Sequence, residues 1–358
     1  MKILLYNTYF RSQSEDAGDA SHLATSPAKL CEALKKRGHR ISVISRKIKG
    51  SSPVIESGGI LIYRTWFIDL PLLRLATWFL SAFLQSFSLK QRPDVIVCWD
   101  WSTVFPAVFH AKLHGIPLIC SVRNDSRGFI KTVAFNLCDY IIYSSSWVKK
   151  TVTTNTKGIV LHHGVDLRHF DYATKPFRKY SKPVIGFFGR LHKSKGVEDL
   201  LIALRSLKGS FKAAIVGDGE EKGKLLELAG NLDVEFVGFV RYQKMPEYMA
   251  AVDIIVLPSY KEGFSSVVIE AMAMKKVIVA SAVGGAPEVI DNWSNGVLFR
   301  PGDERALRKI LERLLADGQL RKSLGKKGYE LVKKKYEWRI MVKKWEKELE
   351  RTVRVSGR

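Results

Sequence analysis

Short apolar runs rich in Val, Ile and Leu alternate with longer amphipathic segments through most of the chain. In the first half, the runs that we predict to be strands are Ile3–Tyr6, Ile41–Ser45, Ile60–Arg64, Val95–Trp99, Pro117–Val122, Tyr140–Ser144 and Ile159–His162. In the second half they are Val184–Phe188, Ala213–Val216, Val234–Val237, Asp253–Leu257, Val277–Ala280 and Gly296–Phe299. Helical segments between strands at this spacing indicate βα units and parallel sheets. The pattern therefore predicts an α/β protein.

Two domains fit both this pattern and the chain length. The 358 residues are enough for two domains of ordinary size, and the polar stretch Asp171–Pro183 separates the two sets of strands. We therefore expect one domain over residues 1–175 and another over residues 183–337. A final helix is expected within residues 338–358.

The composition is that of a globular protein, with 46% hydrophobic and 26% charged residues. Its cysteines stand in apolar surroundings without a Cys-x-x-Cys pair, at Cys31, Cys98, Cys120 and Cys138. This distribution disfavours a zinc site or a disulfide framework and favours a reducing, cytoplasmic compartment. Because Met1 and Lys2 lead directly into the first strand, we expect no signal peptide.

The formal net charge of +23 indicates that the protein binds an anionic partner or substrate. Nucleic acid, an anionic membrane surface and a phosphorylated substrate are the three classes that a strongly basic protein serves. The chain has no helix-turn-helix, zinc-finger or aromatic RNA-binding signature. Specific nucleic-acid recognition is therefore not expected, and the other two classes stay open.

The segment Trp66–Leu89 is unusually apolar. Asp69, Pro71 and Arg74 interrupt it, so it is too short to span a bilayer. We predict one helix from Arg74 to Leu89 and keep two interpretations of it. It is either a buried core helix, or an interfacial segment whose aromatic residues, such as Trp66, Trp78 and Phe79, enter the headgroup region of an anionic membrane.

Two glutamates eight residues apart, Glu262 and Glu270, flank a predicted strand–loop–helix junction. Ser265 or Ser266 can cap the helix, which places Glu262 in the loop and Glu270 one turn into the helix. Ligands of open α/β sheets bind in the crevice at the strand ends. A carboxylate there can accept hydrogen bonds from two sugar hydroxyls, and the free N–H groups of a helix start favour an anion. Taken singly, each glutamate is also consistent with a solvated surface residue.

A glycine-rich basic loop follows the first strand of the second domain. It begins at Gly189 and contains Arg190 and Lys195, which are five residues apart. Glycine allows a phosphate to approach the backbone, Arg offers a bidentate fork and Lys a point charge. The loop is therefore suited to clasp a diphosphate.

Four motifs together resemble the retaining, family 4 glycosyltransferases, which have the GT-B architecture. They are Glu-Gly-Phe-x5-Glu from Glu262, Gly-Arg-Leu-x3-Lys-Gly from Gly189, Gly-Gly-x-x-Glu from Gly284 and His-Gly-Val-Asp from His163. The resemblance implies two facing Rossmann-like domains with an interdomain cleft. It also implies that the C-terminal helix crosses back to the first domain.

The resemblance assigns roles to several residues of the second domain. Arg190 and Lys195 would stabilise the charge on the leaving diphosphate, Glu262 would orient the transferred sugar, and Glu270 would hold the ribose. The other implied donor contacts are Gly189, Val240, Gly263, Phe264, Ser265 and Ser266.

The first domain fits the family pattern less closely. Gly18 stands where relatives often have a Gly-Gly pair. Arg123 and Asp125 stand where many relatives carry a His beside the sugar. Trp99 is either part of an acceptor platform or one member of a packed tryptophan pair, and His22 is a further candidate.

The resemblance implies a retaining hexosyltransferase that moves a sugar from a nucleotide diphosphate sugar to a hydroxyl acceptor on a glycan, a lipid-linked molecule or a small molecule. No Asp-x-Asp metal clamp occurs, so no metal or other cofactor is expected. We expect a cytoplasmic protein, and peripheral binding to the cytoplasmic face of the membrane stays open. The alternatives are an inactive GT-B protein that binds an anionic membrane or polyanion, and a nucleotide-sugar epimerase or hydrolase of the same fold.

Overall fold

Two separate sheets organise the chain in the computed structural model, which describes residues 1–8, 10, 25–47, 51–70, 73–89 and 91–357. Internal contacts divide the chain into a first unit, Met1–Leu161 with Val342–Arg358, and a second unit, His162–Met341. Both units have the Rossmann-like alternation of strand and helix, so the predicted fold class is confirmed. The expected domain limits at residues 175 and 183 stay predictions. In the structure, the segment after Leu161 lies within the second unit.

The first unit contains an eight-stranded sheet in the order β3-β4-β2-β1-β5-β6-β7-β8. Its strands are β1 Lys2–Asn7, β2 Arg40–Arg46, β3 Val54–Ser57, β4 Ile60–Thr65, β5 Val95–Cys98, β6 Leu118–Val122, β7 Tyr140–Tyr143 and β8 Gly158–Val160. Its helices are α1 Thr25–Lys36, α2 Arg74–Phe87, α3 Val104–His114, α4 Phe129–Asn136 and α5 Ser146–Thr151. The central strands are continuous apolar runs because helices and neighbouring strands cover them on all sides.

One strand of this sheet was missed by the sequence prediction. β3 pairs antiparallel with β4, while every other pair in the sheet is parallel. The connecting turn consists of Gly58 and Gly59, both with positive φ. The apolar pattern did not reveal β3 because it is a half-exposed edge strand with only two apolar residues.

The second unit contains a six-stranded parallel sheet in the order β11-β10-β9-β12-β13-β14. Its strands are β9 Val184–Phe188, β10 Lys212–Val216, β11 Val234–Gly238, β12 Ile254–Leu257, β13 Val277–Ser281 and β14 Val297–Phe299. Its helices are α6 Val197–Arg205, α7 Lys222–Ala229, α8 Met245–Ala250, α9 Ser266–Ala273, α10 Ala286–Val289, α11 Glu304–Ala316 and α12 Gly318–Lys335. Each predicted strand of this half is present, with ends shifted by two residues at most.

The last helix, α13 Trp338–Val355, begins in the second unit and ends in the first. Within the first unit, Glu346 forms ion pairs with Arg37 and His39. Trp345 stacks on Trp99 with ring centroids 5.6 Å apart. The predicted return of the C-terminal helix to the first part of the chain is therefore confirmed.

The aromatic residues of the segment Trp66–Leu89 are divided between the core and the surface. Trp78 is fully buried, and its Nε1 donates a hydrogen bond of 3.0 Å to Thr65 Oγ1. Phe79 is half-buried, whereas Trp66 is 51% exposed. Of the two interpretations, the buried one therefore holds for Trp78, because its ring fills the space between α2 and the sheet. Within the described residues, no helix has the length and apolar character needed to cross a membrane.

The Trp78→Ala substitution tests this division. Loss of a fully buried indole and its hydrogen bond should lower the free energy of unfolding by about 3 to 5 kcal/mol. The matched control, Trp66→Ala, removes an exposed indole and should change it by less than about 0.5 kcal/mol. Urea unfolding monitored by circular dichroism measures both, and equal effects would contradict the division.

His110, on α3, provides a second test because it is 3% exposed. Burial, aided by the nearby charges of His114 and Arg92, lowers the pKa of His110 to about 4. The unfolded chain takes up this proton near pH 6.5, but the folded protein resists it until about pH 4. Stability should therefore be lost as the pH falls through this window.

Between these pH values, the wild type should lose on the order of 2 to 3 kcal/mol more stability than His110→Gln. Urea unfolding of both proteins across the pH range measures this difference in the free energy of unfolding. All other titrating groups are shared by the two proteins, so their contributions cancel. If the free energy of unfolding had the same pH dependence in both proteins, folding would not lower the pKa of His110.

Candidate functional site

The glycine-rich loop after β9 has a fixed shape. Lys193–Lys195 form a turn of 3₁₀ helix, which His192 caps by accepting a hydrogen bond of 3.0 Å from the Ser194 N–H. Gly196 ends the turn with φ +64°, and a Cβ at this position would lie 2.0 Å from the Pro258 carbonyl oxygen. Only glycine therefore lets this loop lie against the chain that leaves β12.

The loop after β12 is tied to the loop after β9 by Tyr260. Its N–H donates to the Ser194 carbonyl at 2.8 Å, and its hydroxyl donates to Asp199 Oδ1 at 2.9 Å. The hydrogen bond to Asp199 is the main cause that raises the pKa of Tyr260 to about 12, so the hydroxyl keeps its proton at neutral pH. The two loops are thus held as one structure.

This arrangement brings together two of the predicted catalytic residues. Lys195 Nζ lies 2.5 Å from Glu262 Oε2, although the two residues are 67 positions apart in the chain. Both side chains are partly shielded, with exposed fractions of 27% and 17%. The cation and the carboxylate therefore stand side by side at the carboxyl ends of β9 and β12, where ligands of such sheets bind.

Arg190 lies on the same loop but is mostly exposed, with 70% of its side chain accessible. Its Nη2 is 3.4 Å from Glu220 Oε2, and His192 Nε2 is also 3.4 Å from this carboxyl group. Exposed pairs of this kind are weak. An anionic ligand can therefore draw Arg190 away from Glu220 at little cost.

The backbone under Arg190 is fixed by the neighbouring strands. The Gly189 N–H donates to the Val216 carbonyl at 3.0 Å, and the Gly217 N–H donates to the Gly238 carbonyl at 2.8 Å. Val240, which follows β11, is buried. The ends of β9, β10 and β11 thus meet at the edge where the predicted donor contacts Gly189 and Val240 lie.

The helix α9 begins at the predicted sugar-binding loop. Ser265 is its N-cap residue, with extended backbone, and Ser266 is its first helical residue. Glu270, in the second turn, is 7% exposed. Burial and then the charge of Glu270 raise the pKa of Tyr242 well above its usual range, so these two side chains share one environment.

Tyr242 is a residue that the sequence analysis missed. Its ring stacks on His169 with centroids 4.7 Å apart, and His169 Nε2 lies 3.1 Å from the Tyr242 carbonyl oxygen. His169 follows the His-Gly-Val-Asp motif, and Tyr242 follows Val240. An aromatic residue two positions after Val240, a predicted donor contact, was a signal that could have identified it.

Phe264 joins three of the sequence motifs. Its ring packs against His162 and His163, at centroid distances of 5.1 and 5.5 Å. His162 Nε2 is in turn 2.9 Å from Glu288 Oε2, in the Gly-Gly-x-x-Glu motif. The chain entering the second unit is therefore packed directly on the loop that carries Glu262.

The Gly284–Gly285 segment packs against the backbone of the loop that carries Glu262 and Gly263. The Gly285 N–H donates to the Gly263 carbonyl at 2.8 Å. Gly284 has φ +58°, and a Cβ there would lie 2.0 Å from the Glu262 carbonyl oxygen. These contacts give the segment a structural role, which is to fix the backbone of Glu262.

The first unit brings Trp99 and Arg123 together. The Arg123 guanidinium lies 5.1 Å from the Trp99 ring centroid, and burial lowers the pKa of Arg123 to about 9. Trp99 is only 8% exposed because Trp345 covers it. Its packing partner is therefore Trp345 rather than Trp101, which leaves little of the Trp99 ring for an acceptor platform.

Asp125 is turned towards its own loop. Its Oδ1 accepts a hydrogen bond of 3.4 Å from the Arg127 N–H, and the Arg127 side chain lies 3.6 Å away. Gly18 and His22 lie outside the described residues. Among the residues that the structure describes, no three His, Cys, Asp or Glu side chains are grouped so that they could hold a metal ion.

Comparisons with known proteins agree with the four motifs. Residues 171–331 match the family model of the glycosyl transferases group 1, and residues 23–169 match the model of glycosyltransferase family 4. The chain is 31% identical over 240 residues to an uncharacterized glycosyltransferase, MJ1069, of Methanocaldococcus jannaschii. This match covers 63% of the chain and 61% of that protein, so the chain spans less than two thirds of that relative's length.

Solved structures show the same fold. Sucrose-phosphate synthase of Thermosynechococcus elongatus has a TM-score of 0.84 at 20% identity, with 99% of both chains covered. HepE of Anabaena, in complex with UDP and glucose, has a TM-score of 0.79 at 20% identity, covering 98% of this chain and 99% of that chain.

The support that Gly284 gives to Glu262 can be tested through stability. Gly284→Ala would force its Cβ into the Glu262 backbone in addition to straining its own positive φ. The control, Gly238→Ala, also has a positive φ, of +83°, but meets nothing within 4 Å. We expect Gly284→Ala to cost about 2 kcal/mol more than the control. Urea unfolding measures this, and equal losses would mean that the Glu262 loop moves freely.

Proposed function

This chain belongs to the group 1 glycosyltransferases and carries a family 4 glycosyltransferase domain in its first part, and from that premise we propose that it transfers a sugar from a nucleotide diphosphate sugar to a hydroxyl acceptor. We propose a hexose as the transferred group, retention of the anomeric configuration and no requirement for a metal. The observation that carries the proposal is the ion pair between Lys195 and Glu262 at the carboxyl ends of β9 and β12.

The pair suits a group that is anionic at one end and rich in hydroxyls at the other. Lys195 would contact the diphosphate, and Glu262 beside it would accept hydrogen bonds from the sugar. A donor lying across both would place its anomeric carbon near the boundary between the two side chains. That carbon is where the bond to the diphosphate breaks.

Negative charge grows on the leaving diphosphate as this bond breaks, and stabilising such charge is usually the largest catalytic contribution. Lys195 is already positioned by the joined loops, so little reorganisation is needed during reaction. Arg190 would add a bidentate contact after leaving its weak pair with Glu220. Free N–H groups at the start of α9 would add further donors.

Retention would follow from displacement on the same face of the sugar, in which the leaving phosphate takes the proton of the acceptor hydroxyl. No protein nucleophile is assigned, because Glu262 is engaged by Lys195. Glu270 would hold the ribose, and its buried position near Tyr242 supports a role in binding rather than in proton transfer. Arg123 is proposed as a contact of the sugar or of the acceptor.

We propose UDP as the nucleotide, since HepE, which has the same fold, binds UDP and glucose. The acceptor is proposed to carry a hydroxyl on a glycan, lipid-linked or small molecule. An anionic membrane surface is proposed as an additional partner, with the protein on the cytoplasmic side.

The donor site can be tested by thermal shift with UDP-, GDP-, ADP- and TDP-sugars on the wild type and on Lys195→Ala. A ligand at a concentration 100 times its dissociation constant adds about 2.7 kcal/mol of stability. We expect a UDP-sugar to stabilise the wild type and to lose this effect in Lys195→Ala. The variant itself should remain folded, since a partly exposed ion pair contributes at most about 1 kcal/mol.

The matched control is Lys193→Ala, which removes the same charge from the exposed side of the same turn. It should retain the ligand response. Absence of a response to all four sugars in the wild type would contradict the proposal. Release of free sugar or its epimer without any acceptor, followed by NMR, would instead identify the hydrolase or epimerase alternative.

A further inference from the structure

Of the 19 large apolar side chains that are exposed in the described chain, 13 lie between Trp66 and Val133 in the first unit. We use the name α2–α4 face for the exposed apolar side chains Leu80, Leu84 and Phe87 of α2, Phe109 and Leu113 of α3, and Phe129 of α4. Their exposed fractions range from 49% to 82%. Helix α3 contacts both α2 and α4, so the three helices that carry these side chains are adjacent.

Aromatic contacts connect the two longer helices across this face. The Phe83 ring lies 5.0 Å from Phe87 and 5.9 Å from Phe109, and Phe87 stacks on His110 at 5.9 Å. Exposed apolar patches of this extent on a soluble protein usually mark an interaction surface.

Helix α2 exposes two leucines although it buries two serines. The side of the helix that faces the sheet buries Trp78 and Ala82 together with two serines, Ser81 and Ser86, whose hydroxyls bond to nearby carbonyl oxygens. The outer side exposes Leu80 and Leu84. An amphipathic helix in water buries its leucines and exposes its serines. The leucines are therefore available to a partner, because the core does not use them.

The charges of these helices are of one sign. Helices α2, α3 and α4 contain no Asp or Glu, whereas α1 and every helix from α6 to α13 contains at least one. Lys112, Arg127 and Lys131 lie on or beside α3 and α4, and Arg127 is 72% exposed. The nearest acids along the chain, Asp69, Asp100, Asp125 and Asp139, lie outside these helices. Asp139 lies 3.7 Å from Lys112 and Asp125 lies 3.6 Å from Arg127, and ion pairs this exposed are weak.

From these observations we propose that the α2–α4 face docks on an anionic lipid bilayer. The leucines and phenylalanines enter the headgroup region, and the neighbouring cations pair with lipid phosphates. A second copy of the chain fits this face poorly, because two such faces would bring their exposed cations together and offer no acid from these helices to meet them.

The docking surface has a consequence for the substrate, which rests on the proposed function. Phe129 follows Arg123 and Asp125 by a few residues, so the face reaches the loop that carries the candidate acceptor contacts in the same unit. The acceptor hydroxyl would then belong to a molecule with a lipid portion held in the bilayer.

The test uses vesicles of phosphatidylcholine with or without phosphatidylglycerol, and measures co-sedimentation of the full chain. The face variant is Leu80→Glu/Leu84→Glu/Leu113→Glu. The control, Val54→Glu/Leu226→Glu/Val355→Glu, adds the same charge at apolar positions that are also about half or more exposed, but lie elsewhere. A third variant, Lys112→Gln/Arg127→Gln/Lys131→Gln, removes the cations alone.

We expect the wild type to bind the vesicles that contain phosphatidylglycerol, and to bind less as salt rises. The face variant should bind at least about ten-fold more weakly, and the cation variant should lose the preference for anionic lipid. The control should bind like the wild type. Melting temperatures close to that of the wild type would show that the variants are folded.

Three results would overturn the inference. They are no vesicle binding by the wild type, an equal loss in the face and control variants, or self-association that the face variant abolishes without any vesicle binding. Thermal shift with UDP-sugars on the face variant keeps this test separate from the proposed function. If the face variant keeps the thermal shift with UDP-sugars but no longer binds vesicles, docking is supported. If the wild type shows no thermal shift, the result concerns the donor site alone.

Discussion

The close contact between two loops at the end of the second sheet is the constraint on which the candidate site depends. Gly196 can lie against the Pro258 carbonyl only because it has no side chain. Tyr260 then bonds to both Ser194 and Asp199, and the ammonium of Lys195 meets the carboxylate of Glu262. Neither charged residue is positioned by its own loop alone. A cation fixed in this way can stabilise charge during a reaction without first being ordered by the substrate.

The same constraint explains which parts of the site the sequence could predict. Arg190, Lys195, Glu262 and Glu270 stand in short motifs whose spacing within each loop or helix is local, so the pattern suffices to select them. Their grouping is not local: Lys195 and Glu262 are separated by three strands and the helices between them. The hydroxyl of Tyr260 and the carboxylate of Asp199 carry no motif of their own, and only the packed structure reveals that they join the two loops.

The first unit shows where apolar pattern stops being informative. A pattern gives the period of a helix, but it does not say which of several apolar sides is buried. In α2 the sheet selects Trp78 and two serines, and leaves the leucines outside. Likewise, Trp99 and Trp101 look like a pair in the sequence, yet Trp99 packs on Trp345, a residue almost 250 positions away. β3 was missed for a related reason, because an edge strand with half-exposed positions has too little apolar signal.

The division of α13 between the two units means that the first unit is made from both ends of the chain, with the second unit inserted between them. During synthesis, every residue of the second unit leaves the ribosome before Val342–Arg358 does. The second unit can therefore complete its core first, whereas the first unit still lacks Trp345, which covers Trp99, and Glu346, which pairs with Arg37 and His39. The usual order, in which the N-terminal domain folds first, is reversed here by topology. The first unit therefore begins synthesis first but is completed last.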